Sequence, residues 1–361
     1  LQEVGVDYAA IRQALLQAAQ GKPLHLEACV KTWKRQRRKG LPPSETFSEQ
    51  LSEVLRQEDE TWEADERQLH QLLAVPRYWH EALYQGLVRQ FLETPLDDPA
   101  LQQRHDSLME SPYVLPSGEG SWRWHPQIRA YLLENQSPEK RDAVHAWLFA
   151  HYQTLSAETR QTLSALDEAL YHGLNLAQPE AAIDWWLAAI EPEIQQRPHP
   201  TIPLLLQSLL DASKATPAQI ALAQTRLGQA WAALFEWAAA EPVLEAAIQG
   251  WRDLEQSETA AASDTWQTLA AVYLNRDNPF DALKASQNAV RIRTQHSGTQ
   301  SLTYAEALSR QAEVYWAQDR MKEARRCSDE AMAIASALPE PAPLRLVQLK
   351  LAATLVRIDK Y

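Results

Sequence analysis

Tyr273 and Tyr315 lie 42 residues apart in a chain of 361, and small residues recur around both in one register. Ala270 and Ala312 precede the tyrosines by three positions. Ala282 and Ala324 follow by nine, Ala289 and Ala331 by sixteen. One period upstream, Gly228, Trp231, Ala240 and Ala247 occupy the same frame. A small residue, an aromatic three later and two small residues seven apart is what a pair of antiparallel helices needs when it stacks on identical neighbours. The small residues let helices approach, and the aromatic fills the groove between them. The C-terminal third therefore reads as a helical solenoid, an architecture that holds something rather than reacts with it.

Composition agrees. Only 10 glycines occur, against 13 tryptophans, and the hydrophobic share is 45%. Such a chain favours helix throughout. The formal net charge of -12 argues against a surface that wraps nucleic acid. Cys29 and Cys327 are too few and too distant for a disulfide framework or a metal cluster, which points to a reducing, cytoplasmic setting. No apolar run reaches the roughly 18 residues of a membrane span. The chain opens on Leu1 rather than Met, so it is read as part of a longer protein.

Four regions are expected. Residues 1–74 form a helical arm. Tyr8 to Gln20 has helical spacing with Ile11, Leu15 and Ala18 on one face, and Leu24 to Lys39 resumes the helix after Gly21 and Pro23. That second helix ends in Lys34, Arg35, Arg37, Arg38 and Lys39. Positive charge suits a helix C-terminus, although a phosphate contact or a partner such as Glu58-Asp59-Glu60 remains open. Residues 75–135 form a small module. Val75 to Trp79 reads as a turn, Glu81 to Leu92 and Pro99 to Glu110 as helices, Tyr113-Val-Leu115 and Ser121-Trp-Arg-Trp124 as a hairpin closed by Ser117-Gly-Glu-Gly120. Helix, hairpin, helix is the ending pattern of a winged helix. Residues 136–212 form irregular helical repeats: a helix over 138–153, a pair over Leu166 to Asn175 and Pro179 to Ile190, and a connection marked by Pro192, Pro198, Pro200 and Pro203. Residues 213–361 form the solenoid, with units at Ala218 to Leu254, Ser263 to Thr294 and Thr303 to Ala337, and a terminal helix over Leu344 to Arg357. In the first unit Phe235 and Trp237 are placed in the turn, with the second helix starting at Pro242.

The order of these pieces resembles the signal-transduction NTPases with numerous domains, the STAND class that includes the NB-ARC and maltose-activator-like ATPases. Gly21-Lys-Pro-Leu24 is similar to that family's glycine-x-proline-leucine motif, and Trp122 to Leu132 to its winged-helix segment. Leu166-Asp-Glu-Ala-Leu-Tyr-His172 resembles the segment that opens the family's helical repeats, and the 42-residue units look like long tetratricopeptide repeats. The resemblance implies a mainly α fold: a winged-helix module, then a right-handed α-solenoid. It also implies that Gly21, Pro23 and His125 are remnants of an ADP contact. The departure is large. There is no Gly-x-x-x-x-Gly-Lys-Ser/Thr loop to cradle a phosphate and no strand ending in paired aspartates. Either the core lies upstream or the protein has lost it, and the chain is accordingly expected to hold no cofactor and to hydrolyse no nucleotide by itself, with ADP or ATP entering only if an upstream core exists.

The ligand is expected in the groove lined by the first helices, at Gln224, Gln229, Gln267, Asn275, Ser309 and Glu313. All but Glu313 are uncharged, which disfavours a clamp for an acidic peptide. Arg291, Arg293, Arg325 and Arg326 fall in second helices, on the convex or lateral side. His145 and His151 miss the spacing of a helical metal pair, and no catalytic motif appears. The expected role is that of a regulatory and sensor fragment binding a protein or small effector, with oligomerisation reserved for the longer protein; the alternative is an autonomous repeat scaffold. Nucleic acid and membrane are not expected partners, since the presumed recognition surface of the winged helix is poor in basic residues.

Overall fold

The computed structural model describes residues 9–19, 23–38, 53, 55–56, 59–60, 62–93, 95–111, 113–118, 120–158 and 162–338. Two compact units meet in sequence after Leu148. In the first, α1 (Ala9–Ala19) packs on α2 (Pro23–Arg38), with Leu15, Ala18, Cys29 and Trp33 buried. Of the acids open as partners for the basic end of α2, Asp59 pairs with Arg67 at 2.6 Å and Glu60 with Arg56, while Glu58 lies outside the described residues. The expected terminal helix over 344–357 and most of that over 48–62 lie outside the described residues.

Next come α3 (Ala64–Ala74), β1 (Trp79–His80), α4 (Glu81–Phe91), α5 (Asp98–Met109), β2 (Val114–Pro116), β3 (Ser121–Trp124) and α6 (Pro126–Glu134). The hairpin forms as expected, one residue further along in its first strand. A third strand joins it. Trp79 pairs with Trp122 and His80 with Ser121, giving an antiparallel sheet of order β1-β3-β2. Residues 75–79 are thus more than a turn. A two-residue strand leaves no alternation to read; burial of Trp79, 5.7 Å from the Trp124 ring, places it in the sheet. Edge-on aromatics carry this contact outward. His70 of α3 lies between Trp62 and Trp124 at 4.4 and 5.2 Å, and His105 of α5 between Tyr84 and Trp122 at 5.0 and 5.2 Å.

The division falls inside α7 (Pro138–Glu158). The second unit continues with α8 (Thr162–Leu174), α9 (Glu180–Gln196) and α10 (Thr201–Asp211). Pro192 does not end α9 as expected. Burial of Ile190, Glu193 and Ile194 carries the helix through the missing N–H for another turn.

Three pairs follow: α11 (Pro217–Ala233) with α12 (Trp237–Asp253), α13 (Ala260–Asn275) with α14 (Pro279–His296), and α15 (Leu302–Ala317) with α16 (Met321–Ala337). Helix α12 starts at Trp237, five residues before the expected Pro242, which lies inside it. The turn is fixed by the backbone instead. Phe235, Asp277 and Asp319, one period apart, all take left-handed φ of 64, 56 and 58°. The next N–H in each case donates back to the carbonyl of Trp231, Tyr273 or Tyr315 at 2.9, 2.9 and 3.0 Å. This is a Schellman-type closure of the first helix. Thr216, Thr259 and Ser301 cap the first helices with their hydroxyls.

The small frame residues are buried because helices cross on them. A β-carbon at Gly228 would stand 2.4 Å from the Leu244 side chain. One and two periods on, the same pair of positions is Ala270 with Ser286 and Ala312 with Ser328, all buried. Where the second helix presents Leu, the first retains no side chain; where it presents Ser, the first carries a methyl. Gly→Ala inside a helix ordinarily gains about 1 kcal/mol. Gly228→Ala is instead expected to lose about 1–3 kcal/mol through overpacking, read from the denaturant midpoint.

Candidate functional site

Helices α11, α13 and α15 touch one another as well as their own second helices, which makes them the tighter, inner row of the solenoid. The first repeat is tied to the second by a buried polar node. Thr225 and Thr265 hydroxyls lie 2.8 Å apart, and the Trp251 indole donates to Thr265 at 3.2 Å.

Beside this node runs a series of ion pairs. Arg226 of α11 binds Glu191 of α9, and its other guanidinium arm donates to Gln229 at 2.9 Å. Arg293 of α14 binds Asp264 of α13, and Arg310 binds Glu313 within α15. Burial pushes the Asp264 carboxyl above its ordinary range, while Arg293 and Arg226 pull it down. The arginines are thereby committed to carboxylates of the fold.

The expected groove residues fall on this row with unequal prospects. Gln224 and Gln267 are half-buried. Gln229 and Glu313 are engaged by Arg226 and Arg310. Ser309 is buried, and the exposed Asn275 donates back to the Ala271 carbonyl at 2.9 Å. One expectation is corrected. Arg293 is not on a convex or lateral surface: it is 5% exposed and reaches across to Asp264. Its long side chain crosses between helices, which the period alone does not reveal. The period does not single out Arg226 and Asp264 as site residues, although a signal exists: Arg226 recurs as Arg310 after two periods, and Asp264 as Glu306 after one.

In the first unit Pro23 is exposed at the first position of α2. Gly21 lies outside the described residues. His125 caps α6, its Nδ1 accepting from the Gln127 N–H at 3.4 Å, and His80 caps α4 from Leu83 at 3.2 Å. Burial lowers both imidazoles below their ordinary range, helped at His125 by Arg123. A cavity of about 330 Å³ lies between α2, α3 and α5, lined by Lys31, Lys34 and Arg104 but also by Glu66 and Glu110. Lys31 is drawn to Ser111 at 3.3 Å and to the Tyr113 ring at 4.4 Å. Among the described residues no group of three His, Cys, Asp or Glu could hold a metal ion, and no helix is long and apolar enough to cross a membrane.

Two outcomes follow from this geometry. Asp264→Ala strands a buried guanidinium and is expected to cost about 3 kcal/mol in chemical unfolding, whereas Asp264→Leu with Arg293→Met recovers most of it. The two capping histidines act only when neutral. Their folded values lie below the unfolded one, so their contribution is complete above about pH 6.5 and is lost as pH falls through the folded values. Stability of the first unit is expected to drop as pH falls below about 6.5. His80→Asn with His125→Asn, which keeps a capping acceptor, is expected to flatten that slope in thermal unfolding.

Comparison with known proteins places these repeats. A family model for the tetratricopeptide repeat matches residues 259–337. No curated protein matches the chain. Among solved structures, the chain is similar to the STAND protein with a tetratricopeptide repeat sensor, PH0952 from Pyrococcus horikoshii, at TM-score 0.54 and 14% identity, over 96% of this chain and 47% of that one. It thus spans about half the length of that ATPase. BtubC (BKLC) from P. vanneervenii gives TM-score 0.41 and 14% identity over 63% of this chain and 91% of its own. The chain is a mainly helical protein with a tetratricopeptide-like solenoid, and residues 259–337 carry the tetratricopeptide repeat itself.

Proposed function

We propose that this chain is the regulatory and sensing part of a STAND-type signalling ATPase, whose nucleotide switch lies outside the sequence. The observation that carries the reading is the succession of parts. The strand order β1-β3-β2, with β1 ahead of α4 and α5 and the β2–β3 hairpin ahead of α6, supports reading residues 75–135 as a winged helix. Irregular helices and then repeats follow it. A fold likeness to a STAND protein that extends over 96% of this chain supports reading both units as one such architecture rather than the repeats alone.

In this reading the inner row of first helices takes the ligand, and tetratricopeptide repeats generally act by binding protein. The arginines nearest the row are neutralised by Glu191, Asp264 and Glu313, so the face suits a segment of neutral or mixed charge. Gln224 and Gln267 supply the side-chain amides for it. His125 and Pro23 would face nucleotide only with the upstream core in place. The chain itself supplies no phosphate cradle, and its part is to bind and relay.

The test uses the whole chain immobilised against native extract of its own cells. Partners are quantified by mass spectrometry on wild type and on the variant Gln224→Ala/Gln267→Ala/Glu313→Ala. Capture is expected to fall at least about tenfold on the variant. Equal capture by both would remove the inner row as the binding face.

A further inference from the structure

Phe235 carries two unfavourable features that the fold does not offset. Its backbone is left-handed at the position where the next two units place Asp277 and Asp319. A short polar side chain tolerates that region by hydrogen-bonding locally; a phenyl ring has no such compensation. Its side chain is also 76% exposed. The ring meets Trp237 edge-on at 5.7 Å, and Trp237 packs against the core around Ala240 and Leu244. Phe235 is therefore held out into solvent on a rigid support. Phe280, 77% exposed, stands just after the equivalent turn of the next unit. Each of these turns follows a first helix, so the repeat places both phenylalanines along one edge, away from the inner row.

Over its first two turns that edge is acidic, ahead of the third turn, where Arg320 pairs with Glu323 at 2.7 Å and Lys322 is exposed. Glu236 and Asp277 are exposed within the turns. Behind them, Glu241 and Asp281 take up Arg276 at 2.9 Å and Lys284 at 3.1 Å, the cations within these turns and helix starts. Glu245 receives the Tyr273 hydroxyl at 2.7 Å. Burial and then these carboxylates raise the Tyr273 phenol well above its ordinary range.

We propose that the turn edge of the first two repeats is a second docking surface, and that its occupant is a basic peptide segment with an apolar anchor side chain set against Phe235 and Phe280. Charge decides between occupants. A second copy of this edge would oppose carboxylate to carboxylate, and an anionic membrane surface would be repelled. Lysine or arginine beside the anchor would meet the acidic rim and the ring faces together. The proposal does not rest on the inner-row reading.

The test selects random displayed peptides of about twelve residues on the full chain, after depletion on the Phe235→Asp/Phe280→Asp variant. Enriched peptides are synthesised and titrated by fluorescence anisotropy. The expected peptides combine Lys or Arg with Leu, Phe or Trp, weaken as salt rises, and bind Phe235→Asp at least about tenfold more weakly. They are expected to bind the inner-row variant as tightly as wild type. Phe235→Asp, which restores the residue of the other two units, is expected to keep or raise the wild-type Tm. No enrichment, enrichment of acidic sequences, or equal binding by Phe235→Asp would overturn the proposal. A lowered Tm in Phe235→Asp would overturn it too, because the ring would then serve the fold.

Discussion

Helix crossing at the small residues is the constraint on which the solenoid depends. At Gly228 the first and second helices of a repeat come so close that one methyl group has no room. The two later repeats keep the crossing by moving volume from one helix to the other, from Leu244 to Ser286 and Ser328 and from Gly228 to Ala270 and Ala312. With the crossing preserved, the turns can be preserved as well. The left-handed residue and the carbonyl of the frame aromatic close each first helix in the same way. The aromatic thus does more than fill a groove, since its own peptide group ends the helix.

Successive repeats are then joined by polar contacts that a purely apolar stack would lack. The Thr225, Thr265 and Trp251 node bridges the first and second repeats, and the Arg293–Asp264 pair locks the two helices of the second repeat together. Such contacts specify which helix follows which, because a shifted register would leave a buried guanidinium or hydroxyl without a partner. They also shape the inner face. By neutralising the arginines within the fold, they remove the cationic clamp that an acidic ligand would require.

The first unit depends on a different economy. Its sheet is small and its second edge is a two-residue strand, so aromatic contacts take the place of ladder hydrogen bonds. Trp79 and Trp124 bring the sheet together, His70 and His105 join it to helices, and Arg129 donates to the carbonyls of Ala74 and Val75 at 2.9 and 3.1 Å where α3 ends. The histidines at helix starts, His80 and His125, are occupied in capping. The resemblance implies an ADP contact at His125; within this chain its ring nitrogen accepts a backbone N–H.

The repeat and its spacing were legible in the sequence because stacking demands the same small residue at the same crossing in every unit, and composition records that demand directly. The β2–β3 hairpin was legible through its turn glycines. Strand β1, the continuation of α9 through Pro192 and the early start of α12 were not, because each is decided by burial against residues distant in sequence, which outweighs local propensity. The candidate face shows the same divide. The period picks out the positions of Gln224, Gln267 and Ser309 on the first helices, but whether a side chain there is open or already engaged depends on helices dozens of residues away. Arg293 was placed outside by its helix and lies inside by its partner. Charge pairing acts through space and desolvation, and only the tertiary structure brings Asp264 to it.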